Sequence, residues 1–146
     1  MVKYDVLPSG ARLLESETTR AKIWLETPTL LCWIIEGNGS IEVVKRVVEE
    51  LEQLAPKEGD FVVFNDTDRM PSYDPGFRNV LTDWSGSKGQ RLKSIHILTR
   101  SKVVAMGAAV ANLMLGGNVK MYADRVQFEA AFTAAGGSPN QFRRVA

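Results

Sequence analysis

Apolar residues change their spacing from segment to segment along this chain, and the spacing predicts the secondary structure. Near the start lie three short runs rich in β-branched and aromatic residues, "ARLLES", "KIWLE" and "TLLCWIIEG". Such runs, separated by the breaks "SETTR" and "TP", are typical of strands. We therefore expect a β-meander, and we expect its third strand, which is apolar almost throughout, to be buried on both faces.

Helical spacing first appears after this meander. Apolar positions recur every three to four residues from Ile41 to Ala55, with Ser40 as the predicted N-cap and Pro56 as the stop. The strand "FVVF" follows. Asp74 and Pro75 then predict the N-cap and the first residue of a second helix. The apolar residues of that helix are Phe77, Val80, Leu81 and Trp84.

The alternation of strand and helix occurs twice more. "KSIHIL" and "NVKMY" are predicted strands, and a helix follows each of them. Asp124 and Gln127 form a capping box for the last helix. The third helix, "SKVVAMGAAVANLMLGG", is predicted to face inward with Val103, Met106, Val110 and Leu113. The order predicts an α/β fold: a mixed, mostly parallel sheet with an N-terminal antiparallel β-meander and four helices.

The length and composition predict one globular domain. A chain of 146 residues, with 45% hydrophobic and 24% charged residues, has enough apolar material for one core. We expect this core to span about residues 11–136 and residues 137–146 to form a tail. Cys32 is the single cysteine and cannot form an internal disulfide, and "MVKYDVLPSG" is no signal peptide. The cytoplasm is the expected location.

The charge balance argues against two classes of partner. The 18 basic and 17 acidic residues leave a formal net charge of +1. Nucleic acid and anionic membranes both require a clustered positive surface, which this balance does not indicate. No apolar stretch is long enough to span a bilayer. The sequence therefore favours protein or small-molecule partners.

Polar side chains follow the predicted parallel strands, where open α/β sheets bind ligands. Asn65 to Asp68 come after "FVVF", and Thr99 and Arg100 come after "SIHIL". The candidate partner- or ligand-binding residues are Asp66, Thr67, Asp68, Ser72, Tyr73, Asp74, Thr99 and Arg100. Helix capping by Asp74 and an Asx turn at Asp66 are alternative, structural interpretations.

The sequence contains no recognisable catalytic constellation, and we expect a protein that is not an enzyme. His96 lies mid-strand and is interpreted as a packed, hydrogen-bonded side chain, because no nucleophile motif accompanies it. One histidine and one cysteine cannot build a zinc site, and no phosphate loop is present, so neither a metal nor a cofactor is expected. A phosphoryl-acceptor role for Asp66, helped by Thr99 and Lys120, lacks the acidic pair that would hold magnesium.

The arrangement resembles the STAS superfamily, in particular its SpoIIAA-like bacterial branch of anti-sigma-factor-antagonist-like domains. The segments that carry the resemblance are "FVVFNDTDRMPSYDPGFRNVLTDW", "SIHILTRSKVVAMGAAVANLM" and "NVKMYADRVQFEAAF". The resemblance implies a protein partner, either a regulatory kinase or a sigma-factor regulator. In this family a serine after the aspartate that Asp74 matches is phosphorylated. Pro75 stands at that position here, so the phosphorylated serine of the family has no counterpart; Ser72 is the candidate phosphorylation site, and Thr67, earlier in the chain, is the alternative.

Two functions follow from these observations. The first is a STAS-like regulatory or protein-interaction module that docks through the loop and helix at residues 66–84. The alternative is a carrier of a small apolar or lipid-like ligand, because the small apolar helices "AMGAAVANLML" and "FEAAFTAA" could line a cavity as well as pack closely on the sheet. Trp24 and Trp33 in the meander also suggest pairing into a homodimer.

Overall fold

Seven strands and four helices make up the part of the chain that the computed structural model describes, residues 1–143 and 145. Positions 144 and 146 of the predicted tail lie outside the described residues. The strands are β1 (Lys3–Val6), β2 (Arg12–Glu15), β3 (Thr19–Thr27), β4 (Leu30–Gly37), β5 (Phe61–Arg69), β6 (Leu92–Leu98) and β7 (Val119–Tyr122). The helices are α1 (Ile41–Leu54), α2 (Phe77–Ser87), α3 (Lys102–Met114) and α4 (Arg125–Ala134), and a 3₁₀ turn at Gly89–Arg91 precedes β6.

The strands form one mixed sheet whose spatial order is the order of the chain. Strands β1 to β4 pair antiparallel, and β4 to β7 pair parallel. The parallel strands are connected by α1, α2 and α3, so the predicted α/β class and the pairing of "SIHIL" with "FVVF" and "NVKMY" are confirmed. None of the helices in the described residues is both long and apolar enough to cross a bilayer.

The sheet divides the core into two layers. One face packs against α1, α2 and α3, and its buried residues include Val44, Leu51 and Phe77. The other face packs against α4 through Phe128 and Phe132. β4 contributes to both layers because its side chains alternate between the two faces, and Leu30 to Ile35 are all buried. This confirms the prediction that the third strand of the meander is buried on both sides.

Two features of the sheet differ from the prediction. β1 was not expected, because its alternation of polar and apolar residues covers only four positions, all of them exposed. Trp24 and Trp33 are buried in the two core layers, so they cannot mediate homodimer pairing. Cys32 is buried in the layer on the α4 side, and this burial raises the pKa of its thiol. The meander therefore offers neither an aromatic interface nor a reactive thiol.

The predicted tail is part of the core. The ring centroid of Phe142 lies 4.9 Å from that of Phe128, 4.8 Å from that of Phe132 and 5.2 Å from that of Trp24. Val145 is also buried. The segment after α4 turns back onto the rings of Phe128 and Phe132, which form the buried face of that helix. The described residues of 137–145 are therefore not a free tail.

Helix α3 presents the opposite face from the one predicted. Val103, Met106, Val110 and Leu113 are exposed, and the helix packs on the sheet through the buried residues Val104, Gly107 and Ala108. Both faces of the helix are apolar, so spacing alone could not distinguish them. The face with small residues lies inward because glycine and alanine allow the helix to approach the sheet closely.

Gly39 lies where two backbone segments cross, and we expect Gly39→Ala to destabilise the fold. Gly39 N donates to Ser72 O at 2.8 Å, and Asp74 N donates to Gly39 O at 2.7 Å. A Cβ at this position would lie 2.7 Å from both Met70 Sδ and Tyr73 Cβ. Such overpacking should lower the free energy of unfolding, measured in urea, by about 1–3 kcal/mol.

Gly86→Ala is the matched control for this experiment. Gly86 lies within α2, and a Cβ there would have only Leu115 Cδ2 nearby, at 3.8 Å. Alanine favours helix over glycine by about 1 kcal/mol, so this variant should be at least as stable as the wild type. Equal stability of the two variants would contradict the steric argument.

Candidate functional site

Strand β5 carries the predicted polar residues within the strand and not beyond its end. It continues to Arg69, because Ile34 of β4 and Leu98 of β6 still pair with Asp66. Alternation along the strand then separates the polar side chains. Asn65 and Thr67 point towards α2 and α3, whereas Asp66 and Asp68 point towards α4. The expectation of one exposed polar loop from residue 65 onward is therefore wrong.

The two aspartates of β5 are held by arginines from other elements. Arg125 Nη2 lies 2.9 Å from Asp66 Oδ2 and 3.2 Å from Asp68 Oδ2. Arg100 Nε lies 2.6 Å from Asp68 Oδ1. Arg125 also donates to the carbonyl oxygen of Phe142 at 3.2 Å. We call Asp66, Asp68, Arg100 and Arg125 the arginine cluster, and it joins β5 to α4, to the β6–α3 connection and to the C-terminal segment.

The environments of the two carboxylates differ. Burial raises the pKa of Asp66, whose side chain is 1% exposed. Burial acts in the same direction on Asp68, but hydrogen bonds from Arg100 and Arg125 outweigh it and hold the pKa of Asp68 below its usual value. Asp68 N also donates to Asp66 Oδ1 at 2.9 Å, which is the Asx turn considered as the structural interpretation. The carboxylate oxygens of Asp66 and Asp68 therefore bind groups of the protein itself.

Arg125 belongs to the candidate site, although the sequence did not indicate it. It directly follows the helix cap Asp124, and no local motif singles it out. Its role depends on contacts with residues 57 and 59 positions earlier in the chain. The one available signal was its place at the start of a helix that follows a parallel strand, where side chains converge on the sheet edge.

The two predicted site threonines face the interior. Thr67 Oγ1 donates to the carbonyl oxygen of Leu98 at 2.7 Å, and Thr99 Oγ1 accepts from Ser101 N at 3.1 Å. Both threonines are buried. The Thr67 hydroxyl therefore links the end of β5 to the end of β6, whereas the Thr99 hydroxyl forms a local turn before α3. The binding role of both residues stays a prediction.

Asp74 does not cap α2, contrary to the prediction. The N-cap of α2 is Gly76, which adopts a left-handed backbone conformation with φ of 87° and makes no side-chain cap. Asp74 Oδ2 instead accepts from Ile41 N at 3.0 Å, and Oδ1 accepts from Asn38 Nδ2 at 2.8 Å. Asp74 therefore stabilises the start of α1, because the segment before α2 passes across that helix terminus. The left-handed turn at Gly76 moves the start of α2 from the predicted Pro75 to Phe77.

The predicted caps Ser40 and Asp124 are confirmed, and α3 has a cap of the same kind. Ser40, Ser101 and Asp124 each accept a hydrogen bond from a backbone N–H in the first turn of α1, α3 and α4, respectively. Ser101 Oγ also donates to the carbonyl oxygen of Pro71 at 2.9 Å. This bond ties the start of α3 to the segment that precedes α2.

The exposed part of the predicted site adjoins the outer face of α3. Ser72 is exposed and Tyr73 is half-buried. A Cβ built on Gly107 of α3 would lie 2.4 Å from Tyr73 Oη, so the two residues are in close contact. Arg78 Nη1 lies 3.8 Å from Met114 Sδ. We call this segment, Arg78 and the exposed residues of α3 together the α3 surface. It consists of residues 71–73, Arg78, Val103, Met106, Val110, Leu113 and Met114.

A cavity of about 90 Å³ lies behind this surface, between the sheet and the inner faces of α2 and α3. Its wall is mostly apolar. Asn65 and Thr67 of β5 reach it from the sheet, and Tyr73 reaches it from the segment before α2. The same two helices therefore bound both an internal cavity and an external apolar surface.

His96 is packed and hydrogen-bonded, as predicted. Its ring stacks on Phe64 with centroids 4.2 Å apart and planes 3° apart. Nδ1 lies 2.8 Å from Tyr122 Oη, and Nε2 lies 3.0 Å from Ser94 Oγ. Burial, helped by the positive charge of Lys120, lowers the pKa of His96 to about 4. The imidazole is therefore neutral at physiological pH.

The comparisons with known proteins identify the fold. No protein-family model matches the sequence, and no curated protein matches it. A solved structure that is similar is an uncharacterized protein of the DUF3478 family with a SpoIIAA-like fold from Shewanella loihica PV-4. The TM-score is 0.59 and the sequence identity 16%, over 80% of this chain and 95% of that one. The chain therefore has the SpoIIAA-like fold that the STAS resemblance predicted; at this identity the likeness extends to the fold alone.

We expect Arg125→Met to be strongly destabilising, because it would leave the buried carboxylate of Asp66 uncompensated. Breaking a buried ion pair on one side typically costs about 3–5 kcal/mol. Arg100→Met is the matched control, since the side chain of Arg100 is 71% exposed. An ion pair with such an exposed side chain contributes about 0–1 kcal/mol. Urea unfolding of both variants measures the difference. Equal losses, or no recovery in the double variant Asp66→Asn with Arg125→Met, would contradict this account.

We expect acid to destabilise the protein through His96. The pKa is about 4 in the folded state against an ordinary value of about 6.5, a difference worth about 3 kcal/mol. The unfolded chain binds the extra proton first, so this contribution to stability is lost as pH falls from about 6.5 to about 4. His96 is the chain's one histidine, so its NMR titration is unambiguous. A midpoint near 6.5, or an unchanged pH dependence of unfolding in His96→Gln, would refute the prediction.

Proposed function

We propose that this protein is a non-enzymatic interaction module that docks another protein through the α3 surface. This surface contains residues 71–73 and Arg78 of the segment 66–84 that the sequence indicated, together with the outer face of α3. The observation that carries the proposal is the stripe of large apolar side chains on that helix. The SpoIIAA-like fold supports the same class of function.

The apolar stripe is large for a surface that contacts only water. Leu113 is 83% exposed and Met106 70% exposed, and Val103, Val110 and Met114 lie beside them. The helix has 13 residues and is therefore about 20 Å long. Soluble monomers seldom expose contiguous apolar patches of this kind without a binding role. The two methionines add flexible side chains that adapt to a partner's shape.

The charges around the stripe indicate the chemistry of the partner. Helix α3 contains no acidic residue, and its one charged residue is Lys102. Arg78 lies beside the other end of the stripe. Among the described residues, neither cation has a carboxylate within ion-pair distance. The complementary partner is a protein with an apolar centre and carboxylates at its rim.

Ser72 is the residue through which such docking could be regulated. Its Oγ donates to Asn38 Oδ1 at 2.8 Å, and Asn38 in turn donates to Asp74. A phosphate on Ser72 would replace this hydroxyl donor with negative charge near the Asp74 carboxylate, and so would disrupt the link. Phosphorylation by a regulatory kinase would then rearrange the segment 71–73 at the edge of the α3 surface. This role for Ser72 rests on the resemblance to partner-switching STAS proteins and on this hydrogen-bond chain.

The cavity favours the second candidate function, carriage of a small apolar ligand. Its volume of about 90 Å³ limits the ligand to a few heavy atoms, since an engineered cavity of about 150 Å³ holds benzene. The cavity is too small for a lipid acyl chain. The carrier function therefore applies to small molecules, and docking through the α3 surface does not require it.

We expect charged substitutions on the stripe to weaken partner binding. The partner can be trapped by a photo-crosslinking amino acid at position 110, identified by mass spectrometry and then purified. Met106→Glu and Leu113→Glu should each weaken its affinity by at least about tenfold, because each places a carboxylate in the apolar centre of the interface. Isothermal titration calorimetry measures the change.

Val126→Glu is the matched control for these variants. Val126 is 75% exposed on α4, on the opposite side of the sheet. Its substitution should leave the affinity within about twofold of the wild type, since it lies outside the interface. The same affinity for all three variants would refute docking through the α3 surface. A cross-link between two copies of this chain would show that the α3 surface mediates self-association. That result would refute docking of a different protein.

A further inference from the structure

Two exposed side chains of the α3 surface carry a thioether sulfur. Met106 is 70% exposed and Met114 is 63% exposed. Both belong to the apolar stripe of α3, and eight residues separate their positions by about 12 Å along the helix axis. A peroxide converts an exposed thioether into a sulfoxide, which is polar where the side chain was apolar. The α3 surface therefore contains two positions whose polarity one chemical step can reverse.

Met70 provides a contrast within the same chain. Its side chain is 1% exposed and packs in the core layer beneath α1 and α2. A peroxide in solvent does not reach this sulfur while the protein is folded. Oxidation of the folded protein should therefore convert Met106 and Met114 and leave Met70 reduced.

Arg78 gives Met114 a specific partner for its oxidised form. Arg78 Nη1 donates to Met114 Sδ at 3.8 Å, and a thioether sulfur is a weak acceptor. Within the part of the chain that the structure describes, Arg78 makes no ion pair that would occupy its other donors. A sulfoxide oxygen is a far stronger acceptor, and hydrogen bonds from a guanidinium are charge-assisted. Oxidation of Met114 would therefore replace a weak contact with a strong one.

We propose that Met106 and Met114 form a reversible oxidation site that controls docking through the α3 surface. The control of docking rests on the function proposed above, whereas the oxidation chemistry does not. In the forward step the sulfur attacks one oxygen of hydrogen peroxide, so that the S–O bond forms as the O–O bond breaks. The sulfur loses two electrons, and the leaving hydroxide takes the proton of the transferred oxygen and departs as water. In the reverse step a methionine sulfoxide reductase removes the oxygen as water while two thiols become a disulfide.

Oxidation would weaken docking in two ways. A sulfoxide at either position places a polar oxygen in the apolar centre of the interface. The sulfoxide of Met114 would also occupy Arg78, the cation that faces the carboxylates of the proposed partner. Conversely, a docked partner would cover both sulfur atoms and slow their oxidation.

Peptide mapping by mass spectrometry tests the oxidation site without any partner. The native protein is treated with millimolar hydrogen peroxide, and the oxidation rate of each methionine is followed. We expect Met106 and Met114 to react at least about tenfold faster than Met70, and methionine sulfoxide reductases to restore both. Equal rates at the three positions would overturn the site. The NMR signal of Arg78 Nε–H should shift on oxidation of the wild type and not of Met114→Leu, and the absence of this difference would overturn the role of Arg78.

A second experiment tests the control of docking. Calorimetry measures the affinity for the purified partner before peroxide treatment and after the peroxide has been removed. The affinity of the wild type should fall by about tenfold and return after treatment with the reductases. The double variant Met106→Leu with Met114→Leu should keep its own starting affinity, although Met1 and Met121 are exposed and still react.

The outcomes separate this inference from the docking proposal. An equal loss of affinity in the double variant, or no loss in the wild type, would overturn control by these two methionines while docking stands. A wild type that binds no partner at all would refute docking and its control together, and the peptide map would still decide whether the oxidation site exists.

Discussion

The ion pair between Arg125 and the buried carboxylate of Asp66 is the interaction on which the arrangement around β5 depends. A charge as deeply buried as that of Asp66 is stable only when an opposite charge and hydrogen bonds compensate it. Arg125 provides both, and it also contacts Asp68 and the carbonyl oxygen of Phe142. One guanidinium therefore fixes the end of β5, the start of α4 and the C-terminal segment relative to one another.

The arginine cluster fixes β5 on the face of the sheet that packs against α4. The alternate side chains of β5 therefore point to the opposite face of the sheet. Asn65 and Thr67 point into the layer beneath α2 and α3. Helix α3 packs on that layer through Gly107 and Ala108, which are too small to fill it. The same choice of small inner residues leaves the large apolar side chains of α3 outside. The cavity and the exposed stripe are thus two results of one distribution of side-chain sizes around a single helix.

The fold was largely predictable from the sequence, whereas the site was not. Alternating periodicities located six strands and four helices, because burial imposes those patterns wherever an element has one apolar face. The pattern in β1 covers only four exposed residues and was too short to identify a strand, and α3 has two apolar faces, which made its orientation ambiguous. The roles of Asp74 and Arg125 depend on partners 33 and 59 residues away in the sequence. A local motif cannot encode contacts that only the folded topology creates.

The alternation along β5 has a consequence for misfolding. A shift of this strand by one residue against its neighbours would move every side chain to the other face. Asp66 and Asp68 would then enter an apolar layer without a cation, and Asn65 would face Arg125. Such a slipped pairing would bury two uncompensated negative charges at once. The alternating polar residues therefore discriminate against the commonest error of sheet assembly, whatever ligand or partner the mature protein binds.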